Sequence, residues 1–365
     1  MADSLPPIYF YIPESDWPLG GIPEEANTYW QEFGGGITAG VYAWTVQTYQ
    51  YLKADGLNCE LVGTMPAEGI VLAHRRSLPD DWQPGSKLLL VCLKAERKQH
   101  PYAQIHVVGN PQDLLPKTML PGDRYFYPGE RYYIQHWPQP GLIAREPARG
   151  DRFEKAAFFG EARNLAPELR TPSWLEQLNE LGLHWDLVDR DRRSRWNDFS
   201  DVDVIVAVRN FESQIEYSWK PALKLYNAWH AGIPAIIGRE SASRLERKSE
   251  LDYIEVTSLN EVISALKKLR DDKEFRQAMI ENGRVRAEET KPAKLVAQWR
   301  NMLTKTAIPA YERWCSASNW TRQSFLQRRS LAVKTEEMRK EMQQMRNRLG
   351  LGTRVRSLLS LVSGK

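Results

Sequence analysis

The sequence has few cysteines and no long apolar run. Its three cysteines, Cys59, Cys92 and Cys315, lie far apart and show no metal-ligand spacing, so the sequence predicts a reducing compartment and no disulfide framework. No apolar run approaches the roughly 20 residues that a membrane-spanning helix needs. The first residues show no basic segment followed by an apolar stretch, which argues against a secretory signal. Together these features favour a cytoplasmic protein.

The chain also lacks the glycine pattern of a dinucleotide-binding dehydrogenase. That pattern, Gly-x-Gly-x-x-Gly, has to follow the first strand directly so that the backbone can approach a pyrophosphate. After Ile12 the chain instead continues Pro-Glu-Ser-Asp-Trp-Pro. What is present is ordinary for a globular enzyme of two or three domains, with 365 residues of which 42% are hydrophobic and 26% charged.

Short apolar runs alternate with helical segments in two successive halves of the chain. The predicted strands are residues 8–12, 59–62, 69–74, 87–92 and 103–108 in the first half, and 156–160, 185–188, 202–208, 235–237 and 253–256 in the second. Such alternation predicts two doubly wound α/β domains with parallel sheets. The predicted divisions are a Rossmann-like domain (1–140), a linker rich in proline and glycine (141–152), a second Rossmann-like domain (153–300), a helical return segment (301–330) and a basic amphipathic helical tail (331–365).

The best-defined local pattern is a helix that ends at Gly232 and leads directly into a buried strand. Glycine fits the C-terminus of a helix because it adopts the left-handed conformation without steric cost. Pro234 cannot continue the helix and fits the entry to the apolar run at 235–237.

Polar side chains recur on one face of this helix, at Lys220, Lys224 and Asn227. The segment resembles the nucleotide-sugar-binding motif of GT-B glycosyltransferases, in which a helix ending in Ala-x-Gly-x-Pro carries the donor ligands. Many retaining members have two glutamates eight positions apart here, but this chain has Trp219 and Asn227. The run Lys-Leu-Tyr-Asn-Ala is closer to the GT-B fucosyltransferases. By that resemblance Lys224 is a donor-phosphate ligand and Asn227 a donor or ribose contact; the alternative is a surface lysine on an amphipathic helix.

Further polar residues follow the predicted strands of the second half, where open α/β sheets bind ligands. The donor-site candidates are Gly160, Arg163, Arg209, Lys220, Lys224, Asn227, Ser241 and Ser243. A cluster of arginine and lysine stabilises the negative charge of a nucleoside diphosphate as it leaves. We therefore expect Arg163, Arg209 and Lys224 to support transfer without a metal.

One pair of residues is similar to a metal motif. Asp201-Val-Asp203 matches Asp-x-Asp, but it leads into a predicted buried strand, so we interpret Asp201 as a surface turn and Asp203 as a strand edge. No other cluster shows metal-ligand spacing. The prediction is no metal and no cofactor, with a nucleoside-diphosphate sugar as the donor substrate.

The first half contains a glycine loop, Gly34, Gly35 and Gly36, just before the predicted helix at 39–55. In GT-B enzymes such a loop lines the cleft near the donor phosphates or the acceptor. Free amides at a helix N-terminus also bind anions. The alternative interpretation is a mobile tight turn.

Three residues are candidates for the base that deprotonates an acceptor hydroxyl. His74 ends a predicted strand and is similar in position to a histidine of retaining GT-B enzymes. Glu32 precedes the glycine loop, and His136 lies just before the linker. The catalytic prediction is His74 or Glu32, and the alternative for each histidine is a structural role.

The C-terminal segment is strongly basic. Residues 322–365 contain eleven bases and three acids, a net charge of +8. Residues 349–362 place apolar side chains at helical spacing beside Arg354 and Arg356, which is typical of a helix that lies on an anionic membrane surface. The alternatives are an exposed helix or a coiled-coil arm that forms an oligomer. No nucleic-acid-binding module accompanies the charge.

The resemblance implies a hexosyltransferase of the GT-B fold, and the cluster of arginine and lysine favours transfer without a metal. The second domain would bind the nucleotide-sugar, and the first would bind a glycan, a lipid-linked acceptor or a small hydroxyl acceptor. The basic tail at 331–365 lies outside the resemblance; if it docks on a membrane, it would hold the enzyme peripherally on the inner face. The alternative function is a non-catalytic sugar- or nucleotide-binding protein, or an assembly protein recruited to membranes by its tail.

Overall fold

The computed structural model describes residues 5–29, 38–114, 130–211 and 216–348. The predicted base Glu32, the glycine loop at Gly34, Gly35 and Gly36, and tail residues 349–365 lie outside this described part.

Within the described ranges, the first half of the chain forms a parallel sheet of six strands. These are β1 (Ile8–Tyr11), β2 (Glu60–Val62), β3 (Gly69–His74), β4 (Leu88–Leu93), β5 (Ile105–Val108) and β6 (Glu130–Tyr133), in the order β2-β1-β3-β4-β5-β6. Strands β3 and β4 are buried along their whole length, as expected for apolar runs covered on both faces. Ile70 and Leu72 face one hydrophobic core, whereas Val71 and Ala73 face a second core on the other side of the sheet.

The described residues of the second half form a separate parallel sheet of five strands. These are β7 (Lys155–Phe159), β8 (His184–Val188), β9 (Val204–Ala207), β10 (Ala235–Gly238) and β11 (Ile254–Val256), in the order β11-β10-β9-β7-β8. Every described strand pair is parallel in both sheets. The prediction of two doubly wound α/β domains is therefore confirmed.

Both sheets reverse their strand order at the same relative position. The first strand of each domain lies between the second and the third, so the order reverses between β1 and β3 and again between β7 and β9. In open parallel sheets a ligand crevice forms outside the carboxyl ends of the strands at such a point. The topology therefore places a crevice after β3 in the first domain and after β7 and β9 in the second.

Helices cover the faces of both sheets. They are α1 (Ala39–Val41), which continues through a π-helical turn (Tyr42–Val46) into α2 (Gln47–Ala54), then α3 (Pro172–Glu180), α4 (Leu223–Ala231), α5 (Ser241–Glu246), α6 (Leu259–Asp271), α7 (Lys273–Ala287), α8 (Pro292–Met302), α9 (Ile308–Ser316) and α10 (Asn319–Arg348). Helix α4 ends at Gly232 in the left-handed conformation, as its sequence predicts. None of the described helices is long and apolar enough to cross a bilayer.

The chain returns to the first domain earlier than the predicted boundary at residue 300. Trp299 and Met302 of α8 are buried in the core that contains the first sheet, and Leu303 follows them into that core. The boundary at 300 therefore falls inside a helix whose apolar face already packs on the first domain. The predicted boundary between 330 and 331 likewise falls inside one helix, α10.

Polar contacts join the two domains. The Asn110 side chain, which follows β5, donates hydrogen bonds to the backbone carbonyl of Lys220 at 2.9 Å and to Ser241 Oγ at 3.0 Å. Tyr133 of β6 donates to the carboxylate of Glu246 at 2.6 Å. All of these groups are buried or half-buried, so their loss would leave polar atoms unsatisfied within the interface.

Candidate functional site

Two adjoining cavities lie at the carboxyl ends of the strands, where the two domains face each other. The first-domain cavity, about 290 Å³, is lined mainly by α1 and by the segments that follow β3 and β4. The second-domain cavity, about 240 Å³, is lined mainly by the segments that follow β7 and β9 and by the first turn of α4. Glu96, Pro221 and Leu223 line both cavities. The positions agree with the crevices that the two strand orders define.

Lys224 is the central cation of the second-domain cavity. Its Nζ donates a hydrogen bond to the backbone carbonyl of Phe159 at 2.6 Å and lies 4.5 Å from the ring centre of Phe158. Burial, followed by the positive charge of Arg209, lowers the pKa of Lys224 to about 7. An anionic ligand beside Nζ would raise that pKa again, because an opposite charge favours the ammonium form.

Gly160 lets Lys224 reach this position. It has a φ of +141°, and a Cβ atom at residue 160 would lie 3.1 Å from Lys224 Nζ and 3.5 Å from the Phe158 ring. A side chain would therefore be strained and would press against the lysine. Glycine is therefore the residue that fits this position, which lies directly after β7 and lines the cavity.

Arg209 lines the same cavity and forms an ion pair with a carboxylate that the sequence prediction missed. Its Nε is 3.0 Å from Glu240 Oε1, and its guanidinium lies 5.5 Å from the ring centre of Tyr217. Glu240 follows β10 just as Arg209 follows β9. The same signal, a polar residue directly after a buried strand, could have identified Glu240.

Two other predicted donor residues also line the second-domain cavity. Ser243 is buried in α5, and Lys220 lies before α4 instead of on it, because the helix begins only at Leu223. Lys220 forms an ion pair with Glu96 of the first domain. Glu96 was not predicted either, although it follows the buried strand β4 closely.

Three predicted donor residues have contacts elsewhere. Arg163 is 78% exposed and pairs with Glu161 at 2.5 Å. Asn227 accepts a hydrogen bond from the backbone of Gln139 at 2.9 Å, which ties α4 to the start of the linker. Ser241 accepts from Asn110 within the domain interface. None of the three is among the residues that line the second-domain cavity.

His74 lies in the first-domain cavity as a neutral imidazole. Its Nδ1 accepts a hydrogen bond from the backbone N–H of Arg76 at 3.1 Å, so the proton of the neutral ring is on Nε2. Burial, and then the charges of Arg97, Arg76 and Arg75, lower the pKa of His74 to about 3. This geometry makes Nε2 a hydrogen-bond donor, whereas the prediction of His74 as a base requires a lone pair.

His136 has the opposite tautomer. Its Nδ1 lies 2.5 Å from the backbone carbonyl of Trp137, which can only accept, so Nδ1 carries the proton. The ring packs edge-on against Trp44, and burial lowers the pKa of His136. The two histidines that line this cavity therefore present different chemistry: one holds a proton on Nε2 and the other on Nδ1.

The backbone is strained at two points beside the cavities. In the described part of the chain, positive φ angles at non-glycine residues occur at Ala95, with 49°, and Tyr217, with 48°. Ala95 lines the first-domain cavity, and the carbonyl of Tyr217 accepts from the backbone N–H of Lys220 at 2.9 Å. Such conformations cost about 1–3 kcal/mol each and cluster at functional sites. Here they set the backbone around the Glu96–Lys220 ion pair.

The Asp-x-Asp pair forms structural contacts. Asp203 is buried before β9 and accepts hydrogen bonds from Arg149 Nη2 at 2.7 Å and Arg145 Nε at 2.9 Å. It also accepts from the backbone of Glu154 and of Lys155. Burial acts to raise the pKa of Asp203, but these hydrogen bonds from the two arginines and the backbone outweigh it and keep the pKa below its usual value. Among the residues that the structure describes, no group of three His, Cys, Asp or Glu side chains is arranged to hold a metal ion.

Comparison with solved structures finds similar proteins. Sucrose-phosphate synthase from Thermosynechococcus elongatus is similar with a TM-score of 0.51 at 13% sequence identity, over 83% of this chain and 99% of that one. HepE from Anabaena, solved in complex with UDP-glucose, has a TM-score of 0.44 at 10% identity, over 82% of this chain and 100% of that one. No protein-family model matches the chain, and no curated protein matches its sequence.

The first of these similarities, taken with the two parallel sheets and the cleft, defines the fold as GT-B. The fold class predicted from the sequence is therefore confirmed. The fucosyltransferase-like character of the α4 motif stays a prediction.

Proposed function

We propose that this protein is a glycosyltransferase that binds a nucleoside-diphosphate sugar in the second-domain cavity. The observation that carries the proposal is the position of Lys224 and Arg209 at the crevice between β7 and β9, with the lysine held at a pKa of about 7. An anionic diphosphate would convert Lys224 fully to its ammonium form. Arg209 would then stabilise the charge that develops on the leaving nucleotide, which lets the transfer proceed without a metal.

Glu96 is the base in this proposal. It lies where the two cavities adjoin, so a sugar donor on one side and an acceptor hydroxyl on the other both have access to its carboxylate. Its partner Lys220 forms an ion pair with that carboxylate and would release it as the ligands enter. The acceptor then occupies the first-domain cavity, and closure of the two domains excludes the water that would hydrolyse the donor.

A thermal-shift experiment tests the donor site. The protein is measured with UDP, GDP, ADP, dTDP and CMP, each with and without Mg²⁺. We expect one nucleotide to raise the unfolding midpoint by mass action, equally with and without the metal. Lys224→Met should abolish the shift, whereas Arg170→Gln, a change at an exposed arginine outside the cavities, should keep it. No shift with any nucleotide, or a shift that survives Lys224→Met, would reject the proposed donor site.

Turnover is measured next, as the release of sugar from the nucleotide-sugar that matches the shifting nucleotide. Glu96→Gln should lower kcat by about 10²–10⁴-fold while the nucleotide shift persists. A wild-type protein that binds the nucleotide but never turns over its sugar derivative would instead be the non-catalytic binding protein.

A further inference from the structure

We propose that the acceptor carries an oxyanion group, a phosphate or a carboxylate, and that Arg76 and Arg97 bind it. This inference rests on the proposed function, because it names the class of acceptor for the first-domain cavity. The oxyanion serves as a recognition group and takes no part in the transfer; the hydroxyl that reacts is a different group of the same molecule.

The first observation is that the first-domain cavity holds two arginines whose charge no described side chain balances through an ion pair. Both Arg76 and Arg97 line the first-domain cavity, follow the carboxyl ends of β3 and β4, and are exposed. Neither has an ion pair or a side-chain hydrogen bond with any residue that the structure describes. By contrast, the cations of the second-domain cavity already have partners: Lys220 pairs with Glu96, and Arg209 with Glu240.

The second observation is His74. Its side chain is only 4% exposed, yet it lines the same cavity. Because Nδ1 accepts from the backbone of Arg76, Nε2 carries a proton, and no described residue accepts that proton. The position of a Cβ at Gly40 in α1 would be 3.3 Å from Nε2, so the ring reaches the first turn of the helix. A buried donor of this kind fits an acceptor oxygen of a ligand.

The remaining lining of the cavity fits the body of a sugar. Trp44, Pro140 and Leu223 supply apolar surface to the lining of this cavity. An acceptor with one charged end and one sugar face would therefore place its oxyanion between the two arginines. Guanidinium groups bind both phosphate and carboxylate in bidentate geometry, so the arginines define the charge of the group and not its identity.

The donor diphosphate is a less suitable ligand for Arg76 and Arg97 than an oxyanion of the acceptor. Lys224 and Arg209 line the second-domain cavity, where the nucleotide is proposed to bind, and supply cations for its diphosphate. Arg76 and Arg97 are not among the residues that line that cavity. A second anion-binding group on the first-domain side is therefore available for a second substrate.

Binding measured by calorimetry tests the inference, with the donor site first saturated by the nucleotide that gives the thermal shift. The probes are glucose 6-phosphate, glucuronate and uncharged glucose. We expect at least one anionic probe to bind roughly tenfold or more tightly than glucose, since charge-assisted hydrogen bonds are stronger than neutral ones. Glucose 6-phosphate alone would identify a phosphate site, and glucuronate alone a carboxylate site.

Arg76→Gln combined with Arg97→Gln should remove the preference for the anionic probe and leave the nucleotide shift intact. Arg170→Gln is the matched control and should change neither. Equal affinity for all three probes, or no binding of any of them at tens of millimolar, would overturn the inference. The inference would also be overturned if the double variant still preferred the anionic probe, or if it lost only the binding of the nucleotide. Failure of the nucleotide to bind wild type at all would instead reject the donor site.

Discussion

Lys224 shows how one residue acquires its chemistry from its surroundings. A lysine has a pKa of about 10.4 in water, but burial and the charge of Arg209 lower the pKa of Lys224 to about 7. Gly160 makes this burial possible, because a Cβ at residue 160 would crowd Nζ at 3.1 Å. The apo protein therefore holds a large fraction of Lys224 in the neutral form at physiological pH.

The lowered pKa predicts proton uptake when the nucleoside diphosphate binds. Above pH 7 the free site is mostly neutral and the occupied site is protonated, so affinity should fall as pH rises, by up to tenfold per unit. At pH 8 close to one proton should be taken up, which calorimetry in two buffers of different ionisation enthalpy measures. Lys224→Met should take up none. Equal uptake in wild type and variant would show that another group titrates.

The return helix α8 is the element that most directly ties the end of the chain to its beginning. Trp299 is fully buried against the first sheet, together with Met302 and Leu303. Pro292 begins the helix at a position where proline is favoured, because the first N–H groups of a helix have no partner within it. The stability of the first domain should therefore depend on residues that lie almost three hundred positions after its first strand.

Trp299→Ala should destabilise the first domain by about 3–5 kcal/mol, as is usual for removing a buried tryptophan. Hydrogen exchange during urea titration follows each sheet separately, and we expect β3 and β4 to lose protection before β9 and β10. Trp320→Ala, at a residue that is 79% exposed, is the control and should change stability by less than about 0.5 kcal/mol. Earlier loss of the second sheet would contradict the placement of α8.

At the scale of the whole molecule, polar contacts around Asn110 and Glu246 help to hold the domains against each other. Asn110 binds the backbone of Lys220 and the hydroxyl of Ser241, while Glu246 accepts from Tyr133 and from Tyr226, the latter at 2.8 Å. The Asn110 contact lies beside the ion pair at the junction of the two cavities. Opening the interface would therefore separate the parts of the site.

Asn110→Ala should favour the open arrangement of the domains. The loss of its hydrogen bonds, with an unsatisfied carbonyl left behind, corresponds to about 1–2 kcal/mol, or a five- to thirtyfold change in the balance of open and closed forms. Small-angle X-ray scattering should show a larger radius of gyration than for wild type. Asn179→Ala, on the exposed face of α3, is the control. Superimposable scattering curves for all three proteins would reject this role for Asn110.

Features that depend on neighbouring residues could be predicted from the sequence. Continuous apolar runs had to become buried parallel strands, because only a sheet covered on both faces hides both sides of such a strand. Ser258 accepts from the backbone N–H of Glu261 at 3.2 Å and caps α6, which begins at the next residue; a serine three positions before a glutamate is a local signature of such a cap. Gly232 ends α4 for an equally local reason. The order of these elements then restricted the fold to two doubly wound domains.

Features that depend on distant residues required the tertiary structure. Whether a polar residue after a strand faces the cleft depends on loop geometry, and so Arg163 lies in solvent while Arg209 lines the cavity. Glu96 became significant only when Lys220, more than a hundred residues away, was brought beside it. By itself the sequence determined the elements and their order, since backbone preference and apolar pattern act locally. Only the packing of one domain on the other decided which charges are paired and which are left to bind a ligand.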